Sequence, residues 1–314
     1  MVSPLKKTAA VVFSDRYLVH LDGLEKLHPF DSHKYRRIHQ ELIREGHIAP
    51  EDTKIPEPCK EVDLLRVHTQ RYLDSLKNAV GLAEALEFPQ IGNLAPPVLY
   101  DAIVMPHQFV CGGTLLAARA ALEFPISINI GGGYHHAKPD RGGGFCLFAD
   151  VPIAIRCLLS EGRIKRALIV DLDVHQGNGT AVIFADDERV FTFSMHQKDI
   201  YPIPKEFSNC DVELQAGTED QTYLNILSEH LPKLFELADP DMVFLLAGCD
   251  VLKDDPLAGL ALTGQGVIRR DWMVAEFCLD RKVPLVMTLA GGYGRDSWRI
   301  QYESIRNIML NLHC

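Results

Sequence analysis

Several features that mark whole classes of protein are absent from this sequence of 314 residues. It has no uncharged apolar run of about 18 residues, which is the length that a membrane-spanning helix needs. Residues 1–8 are polar and carry two lysines, so they lack the apolar core of a secretory signal peptide. The eight cysteines include no Cys-x-x-Cys pair and lie mostly in apolar segments, which predicts reduced core thiols. We therefore expect an intracellular protein without a membrane span, located in the cytoplasm or, in a eukaryotic cell, also in the nucleus.

An excess of positive charge is also missing, because 32 lysines and arginines stand against 42 acidic residues, for a formal net charge of -10. Proteins that bind phosphate backbones need a positive surface, so we expect no direct nucleic-acid binding. No fixed-period repeat and no Ser/Gly-rich or Pro-rich linker divides the chain. A hydrophobic content of 47% supports a large core, and residues 1–314 are predicted to form a single domain. The oligomeric state stays open.

Apolar runs of strand length alternate with helical patterns along the whole chain. Strands are predicted at residues 9–13, 126–130, 167–170, 190–193, 242–247 and 285–289. At least six buried strands alternating with helices predict an α/β fold with a largely parallel central sheet and helices on both faces. Residues 87–97 contain three prolines and predict a loop, and residues 98–122 predict one long helix.

Two of the predicted strands are followed by residues that bind metals. The motif Asp-Leu-Asp-Val-His at 171–175 places Asp173 and His175 two positions apart, so their side chains point the same way on an extended segment. Asp250 follows the strand at 242–247, and the carboxyl ends of parallel strands meet at one edge of a sheet. Two carboxylates and one imidazole suit zinc or ferrous iron and leave a position open for water or substrate.

Two further strand ends carry groups that transfer protons or donate hydrogen bonds. His135 and His136 follow three glycines after the strand at 126–130, and together they suit a general base and a general acid. Tyr293 follows two glycines after the strand at 285–289, and its hydroxyl suits a developing oxyanion. Each residue alone is more often structural. Their occurrence at successive strand ends predicts a hydrolytic site.

These motifs resemble the histone deacetylase family. The resemblance rests on Gly-Gly-Gly-Tyr-His-His-Ala at 131–137, Gly-Gly-Gly-Phe-Cys at 142–146, Asp-Leu-Asp-Val-His-Gln-Gly-Asn-Gly-Thr at 171–180, Ala-Gly-Cys-Asp at 247–250 and Gly-Gly-Tyr at 291–293. Three further motifs resemble the class IV branch of the family, the histone deacetylase 11-like proteins, more than the other branches. They are His-Pro-Phe-Asp at 28–31, Arg-Gly-Gly-Gly at 141–144 and Phe-Ala-Asp at 148–150. The resemblance implies an arginase/deacetylase fold, a zinc ion held by Asp173, His175 and Asp250, and hydrolysis of acyl-lysine amides.

The same resemblance assigns roles to the residues around the zinc. It implies that Asp171 orients and charges His135, whereas Asn178 pairs with His136 at a position where some relatives carry aspartate. A neutral partner should leave His136 less basic, which favours this residue as the base that activates water. Either histidine can then protonate the leaving lysine amine, while Tyr293 and the metal stabilise the oxyanion.

The resemblance also implies a substrate channel and a second cation. The channel would be lined by Gly144, Phe145, Tyr201 and Leu257. A structural potassium ion would be bound around Asp171, Asp173, His175, Ser194 and Met195. Lys34 falls where many relatives have an arginine beside an exit cavity. Because class IV relatives are associated with long fatty-acyl chains, we predict that myristoyl-lysine is cleaved better than acetyl-lysine.

Other functions are compatible with parts of this pattern. An amidohydrolase that acts on acetylated polyamines or other small acylated amines would use the same metal site, and the acidic chain suits such substrates. An arginase-like enzyme with two manganese ions would need Asp-x-His-x-Asp, but residue 177 is glycine. An inactive scaffold or acyl-lysine binding module would not need the metal ligands, both histidines and the tyrosine, all of which are present.

Overall fold

The computed structural model describes residues 9–312, so the N-terminal segment 1–8 discussed above lies outside the described residues. Eight strands form one sheet. They are β1 (Ala10–Val12), β2 (Thr53–Lys54), β3 (Ile126–Asn129), β4 (Ala167–Asp171), β5 (Val190–Gln197), β6 (Cys210–Leu214), β7 (Met242–Leu246) and β8 (Leu285–Thr288). The strand order is β2-β1-β3-β8-β7-β4-β5-β6, and every neighbouring pair is parallel.

The parallel sheet confirms the predicted α/β architecture, and all six predicted strands are present. The two strands that the pattern did not predict, β2 and β6, are the two edges of the sheet. β2 has only 2 residues, and most residues of β6 are only partly buried. An edge strand is not covered on both faces, so it lacks the continuous apolar run that marks β4 and β7.

Eleven α-helices are described between residues 9 and 312. They are α1 (His33–Arg44), α2 (Glu61–Leu64), α3 (Gln70–Ser75), α4 (Ala79–Ala85), α5 (Pro96–Leu99), α6 (Met105–Ala120), α7 (Asp150–Ser160), α8 (Asn178–Phe184), α9 (Asp220–Ala238), α10 (Gly264–Arg281) and α11 (Ser297–Asn311). Every residue of β3, β4, β7 and β8 is buried, so both faces of the central sheet are covered. None of the described helices is long and apolar enough to cross a membrane. The seven cysteines within the described part are unpaired.

The region from 87 to 122 differs from its prediction. The expected loop at 87–97 contains the 3-10 helix Pro89–Asn93 and the start of α5, because proline is well placed in the first turn of a helix. The expected single helix at 98–122 is divided between α5 and α6 by the π-helical turn Tyr100–Val104. Pro106 follows that turn and has no N–H, so it cannot make the usual bond to the carbonyl four residues earlier.

The sheet topology brings the four predicted functional segments together. They follow β3, β8, β7 and β4, which are consecutive neighbours in the middle of the sheet. In a parallel sheet all four carboxyl ends lie at the same edge. The histidine, tyrosine and carboxylate segments therefore leave the sheet side by side.

Candidate metal and proton-transfer site

Asp173, His175 and Asp250 form a buried cluster whose ligand atoms all lie within 4.8 Å of one another. Nδ1 of His175 is 3.1 Å from Oδ1 of Asp173 and 3.3 Å from Oδ2 of Asp250. Oδ2 of Asp250 is buried and accepts no hydrogen bond. A buried carboxylate oxygen without a donor is costly, but it is the atom that a bound cation would satisfy. The donor set therefore fits zinc or ferrous iron.

Backbone N–H groups of neighbouring loops hold both ligand carboxylates in place. The backbone N–H of Gly291 donates to Oδ2 of Asp173 at 2.8 Å, and the N–H of Val174 donates to Oδ1 of Asp250 at 3.0 Å. A Cβ atom at Gly291 would collide with the carboxylates of Asp250 and Asp173. Glycine is required at this position because the backbone passes directly against the two metal ligands.

The two histidines lie side by side, with ring centroids 4.0 Å apart. Nδ1 of His135 is 2.7 Å from Oδ2 of Asp171, and Nδ1 of His136 is 2.7 Å from Oδ1 of Asn178. Both partners are acceptors, so each ring donates from Nδ1. This tautomer leaves Nε2 of a neutral His136 as a proton acceptor, and its ring lies 5.9 Å from that of the metal-site residue His175.

The surroundings of the two imidazoles shift their pKa values in opposite directions. Burial lowers the pKa of His136 well below its usual range, and positive charge on His135 and His175 lowers it further. Burial alone would also lower the pKa of His135, but the carboxylates of Asp171 and Asp173 raise it to about 9. At neutral pH, His136 is therefore a neutral base and His135 is a protonated acid.

The histidine loop is fixed by a buried carboxylate, Asp150. Its Oδ2 accepts from the N–H of Gly133 at 3.0 Å and from the hydroxyl of Thr114 at 2.6 Å, and its Oδ1 accepts from the N–H of Tyr134 at 2.7 Å. Gly133 has a φ of +85°, which favours glycine. The bonds to Asp150 hold the backbone directly before His135.

Tyr293 also lies beside the metal cluster. Its ring is 6.4 Å from that of His175 and 6.0 Å from that of Phe145. Its backbone N–H donates to Oδ2 of Asp255 at 2.8 Å, which ties the tyrosine to the loop after β7. Burial and the carboxylates of Asp250 and Asp173 raise the pKa of Tyr293 well above its usual value. The hydroxyl therefore stays protonated and is able to donate a hydrogen bond.

Lys34 lies beneath the tyrosine loop and is almost completely buried. Its Nζ donates to the carbonyl oxygens of Ala290, Gly291 and Gly292 at 3.2, 3.3 and 3.3 Å. The ammonium also lies 4.6 Å from the ring centre of Phe30. Lys34 also lines a second cavity of about 400 Å³. Its contacts show that it also holds the backbone before Tyr293.

Three of the four predicted channel residues adjoin the site. The Tyr201 ring is 4.9 Å from that of His136, and the N–H of Gly144 donates to Oε1 of Glu87 at 2.9 Å. The Phe145 ring faces Tyr293, as described above. Leu257 is about one-third exposed and is not among the described residues that line the main cavity. Its place in the channel therefore stays a prediction. Its backbone N–H bonds to Asp255 instead.

The site opens into a cavity of about 900 Å³. Its lining includes the catalytic candidates His135, His136, Asp173 and Tyr293. The rest of the lining combines charged side chains, such as Asp22, Glu25, Lys26 and Arg37, with an apolar and aromatic set. The apolar and aromatic set includes Val19, Leu21, Phe30, Leu86, Phe88, Ile103 and Tyr134. A pocket of this size is at the upper end of the range for ligand sites and is much larger than an acetyl group needs.

The residues predicted to bind a second cation lie at and just after the carboxyl end of β4 and in the middle of β5. Asp171 pairs in register with Ser194, and Met195 is the next residue along β5. Asp171, Ser194 and Met195 are all buried. The Ser194 hydroxyl is 2.9 Å from Nδ1 of His196. The prediction thus concerns a set of adjacent, buried residues next to the metal cluster.

Comparison with known proteins agrees with the geometry of the site. A family model described as the histone deacetylase domain matches residues 28–309. The chain is 37% identical over 308 residues to histone deacetylase 2 of Arabidopsis thaliana, covering 97% of this chain and 79% of that protein. The chain belongs to the histone deacetylase family. Membership in this family makes it a hydrolase of acyl-lysine amides, which confirms the predicted reaction class.

Two further relatives agree with this placement. The chain is 31% identical over 304 residues to a probable deacetylase of Archaeoglobus fulgidus, covering 90% of this chain and 80% of that protein. The crystal structure of the HDA15 HD domain superposes with a TM-score of 0.77 at 23% identity, covering 97% of this chain and 90% of the other. At that identity the match concerns the fold, and it confirms the arginase/deacetylase architecture.

Several supporting residues of this histone deacetylase site were not singled out from the sequence. Asp255 holds Tyr293, Asp150 holds the histidine loop, and Glu87 binds the backbone of the channel wall. In the sequence, Asp150 stood out only as part of the Phe-Ala-Asp motif at 148–150. Asp255 and Glu87 lie in loops, where an acid is usually a turn former or a solvated group. Their contacts depend on the fold.

Proposed function

We propose that this protein is a zinc-dependent lysine deacylase of the class IV type. The observation that carries the proposal is the convergence of Asp173, His175 and Asp250 beside a histidine pair and Tyr293. Zinc, when bound by those three ligands, would polarise the amide carbonyl and lower the pKa of a nearby water toward about 7. The class IV assignment rests on the motifs at 28–31, 141–144 and 148–150.

The chain's own residues divide the proton transfers between them. Neutral His136 accepts the proton of the attacking water at Nε2, while Asn178 keeps its ring oriented through Nδ1. Protonated His135, paired with Asp171, donates to the departing lysine amine. The Tyr293 hydroxyl donates to the oxygen on which negative charge develops. Positioned acid and base groups of this kind typically accelerate a reaction by about 10²- to 10⁴-fold.

We further propose a preference for long fatty-acyl groups. The catalytic residues share the cavity of about 900 Å³ with a set of apolar side chains, so the cavity offers an acyl tail a surface to bury against. Each buried methylene contributes about 0.8 kcal/mol, which is about fourfold in affinity when the whole contribution is realised. His136 and Tyr293 line this same cavity, so the reacting groups and a bound acyl tail would share one space.

Matched peptides that differ only in the acyl group test this function directly. We expect kcat/KM for myristoyl-lysine to exceed that for acetyl-lysine by at least about tenfold, because the tail gains buried apolar contact. Hydrolysis should depend on added zinc after chelation. An acetylated polyamine in the same panel tests the alternative amidohydrolase function. A clear preference for acetyl-lysine would contradict the fatty-acyl proposal, and a preference for the polyamine would favour the alternative.

A variant that fills part of the cavity provides a second test, with a matched control at a site outside the cavity. Val19 lines the cavity and is only partly buried, so Val19→Trp should narrow the space without disrupting the core. This variant should lose most of its myristoyl-lysine activity and keep its acetyl-lysine activity. The exposed Val80 on α4 is a comparable site outside the cavity, so Val80→Trp should change neither activity.

The pH dependence of the reaction tests the division of roles between the histidines. Replacing Asn178 with aspartate places a negative charge 2.7 Å from Nδ1 of His136, which favours the protonated ring. The pKa of His136 should rise by roughly one to three units, so the acidic limb of kcat/KM should move to higher pH. An unmoved acidic limb in Asn178→Asp, with zinc still bound, would argue against His136 as the base.

Two other features belong to the proposal. A structural potassium ion would be bound by the backbone and side-chain oxygens of the buried residues around Asp171 and Ser194. Acylated lysine side chains of proteins or peptides would be the substrates. An intracellular location, cytoplasmic or also nuclear in a eukaryotic cell, remains our prediction. Direct nucleic-acid binding is not expected from the net charge of -10.

A further inference from the structure

Arg270 is a buried cation that the proposed reaction does not use. It lies in α10 and its side chain is fully buried, whereas the neighbouring Arg269 on the same helix is exposed. A guanidinium that has lost its water needs both a compensating charge and acceptors for its N–H groups. The contacts of Arg270 therefore indicate what it holds in place.

Those contacts join the two loops that carry the metal ligands. Nη1 of Arg270 donates to the carbonyl oxygen of Leu172 at 3.0 Å and to that of Gly248 at 2.8 Å. Leu172 directly precedes Asp173, and Gly248 precedes Asp250 by two residues. The ladder between β4 and β7 extends to a bond from Leu172 N to the Leu246 carbonyl. Arg270 continues this link at the point where β4 and β7 end and the two ligand loops begin.

The other side of the guanidinium is anchored away from the metal site. Nε donates to Oδ1 of Asp271 at 2.8 Å, and Oδ2 of Asp271 accepts from the hydroxyl of Ser304 in α11 at 2.5 Å. Burial alone would lower the pKa of Arg270, but Asp271 raises it above its ordinary value. The charge is thus permanent, and its position is set by two packed helices.

We infer that Arg270 is a positioning residue that sets the separation of Asp173 and Asp250 by bonding both ligand loops through one nitrogen. This inference rests on the proposed metal-dependent function. Lysine would keep the charge, but its single ammonium lacks the planar fork that serves two carbonyls and Asp271 at once. The metal affinity of an Arg270→Lys variant should therefore fall even where the fold is retained.

Metal binding is the decisive measurement because it does not depend on turnover. Zinc affinity is measured by competition with a chromophoric chelator, and the visible spectrum of the cobalt-loaded protein reports ligand geometry. Loss of outer contacts typically weakens metal binding by about 10- to 100-fold. We expect a zinc dissociation constant at least about tenfold higher for Arg270→Lys, with a changed cobalt spectrum. The matched variant Arg269→Lys, at the exposed neighbour, should resemble wild type.

A second variant covers the case in which Arg270→Lys does not fold. Arg270→Met combined with Asp271→Leu removes both charges together, which leaves no buried ion unpaired. It should show the same loss of zinc affinity. If either folded variant binds zinc within twofold of wild type with an unchanged cobalt spectrum, the inference is wrong. Failure of both variants to fold would also count against it, since Arg270 would then serve the core as a whole.

The wild-type protein separates this inference from the proposed function. If wild type binds no zinc, the proposed function fails and the positioning role fails with it. If wild type binds zinc and hydrolyses acyl-lysine while Arg270→Lys binds equally well, only the positioning role is overturned.

Discussion

Replacing His136 with alanine is expected to lower kcat by about 10²- to 10⁴-fold while zinc remains bound. The ring is held by Asn178 and its pKa is lowered by burial and by the positive charge of its neighbours, so Nε2 is free to accept a proton at neutral pH. No other described neutral base occupies the same place, because Asp171 and Asp173 hold the pKa of His135 at about 9. Steady-state kinetics on an acyl-lysine peptide, with zinc content measured in parallel, checks this expectation.

The control is a histidine that does not line the cavity. His230 lies on α9, where its Nδ1 bonds the carbonyl of Ile226, and it is not among the described residues that line the cavity, so His230→Ala should leave kcat unchanged. Near-normal turnover of His136→Ala would remove this residue from the reaction. A large rise in KM with kcat preserved would instead assign it to substrate binding.

The positions of the main reactive groups could be predicted from the sequence because they follow apolar strands. A buried parallel strand is visible as a continuous apolar run, and its carboxyl end lies at the edge where ligands bind. Asp173, His175, Asp250, His135 and Tyr293 follow four such runs. Those four strands are adjacent in the sheet, which local pattern alone does not specify. Their adjacency is what turns separate motifs into one site.

The supporting contacts could not be predicted in the same way. Arg270 bonds the carbonyl of Leu172, 98 residues away, and Lys34 bonds carbonyls more than 250 residues away. On the helices that carry them, both residues look like ordinary charged positions, which are usually solvated. Only the arrangement of the helices on the sheet shows that these two cations are buried against the ligand loops.

The cavity is a further property that depends on the assembled fold. Its walls combine the segment around Val19, the region of Leu86 and Phe88, and Ile103 in the π-helical turn. The sequence predicted a loop at 87–97 and an unbroken helix after it, so the shape of this wall was not foreseen. Short helices begin at prolines there, and the flanking residues Phe88 and Ile103 line the space that an acyl tail would occupy.

Replacing Asp250 with asparagine should abolish both zinc binding and turnover. The side chain keeps an oxygen for the N–H of Val174 but loses the negative charge at the buried Oδ2, which has no hydrogen-bond donor. Burial and the charge of Asp173 raise the pKa of Asp250 to about 7 in the folded metal-free protein. An acid whose pKa is raised by folding makes the folded state less stable as pH rises toward that value. At neutral pH the metal-free Asp250→Asn protein should therefore be at least as stable as metal-free wild type.

Thermal unfolding with and without zinc checks both expectations in one experiment. Zinc at about 100 times its dissociation constant should stabilise wild type by about 2.7 kcal/mol, because it binds only the folded state. Zinc should not change the melting temperature of Asp250→Asn, and that of the metal-free variant should depend less on pH between about 4 and 7. Asp254 is an exposed acid in the same loop, so Asp254→Asn should retain the zinc response. If Asp250→Asn keeps a normal zinc response, the ion binds elsewhere. Oδ2 of Asp250, the buried oxygen without a hydrogen-bond donor in wild type, would then not be a zinc ligand.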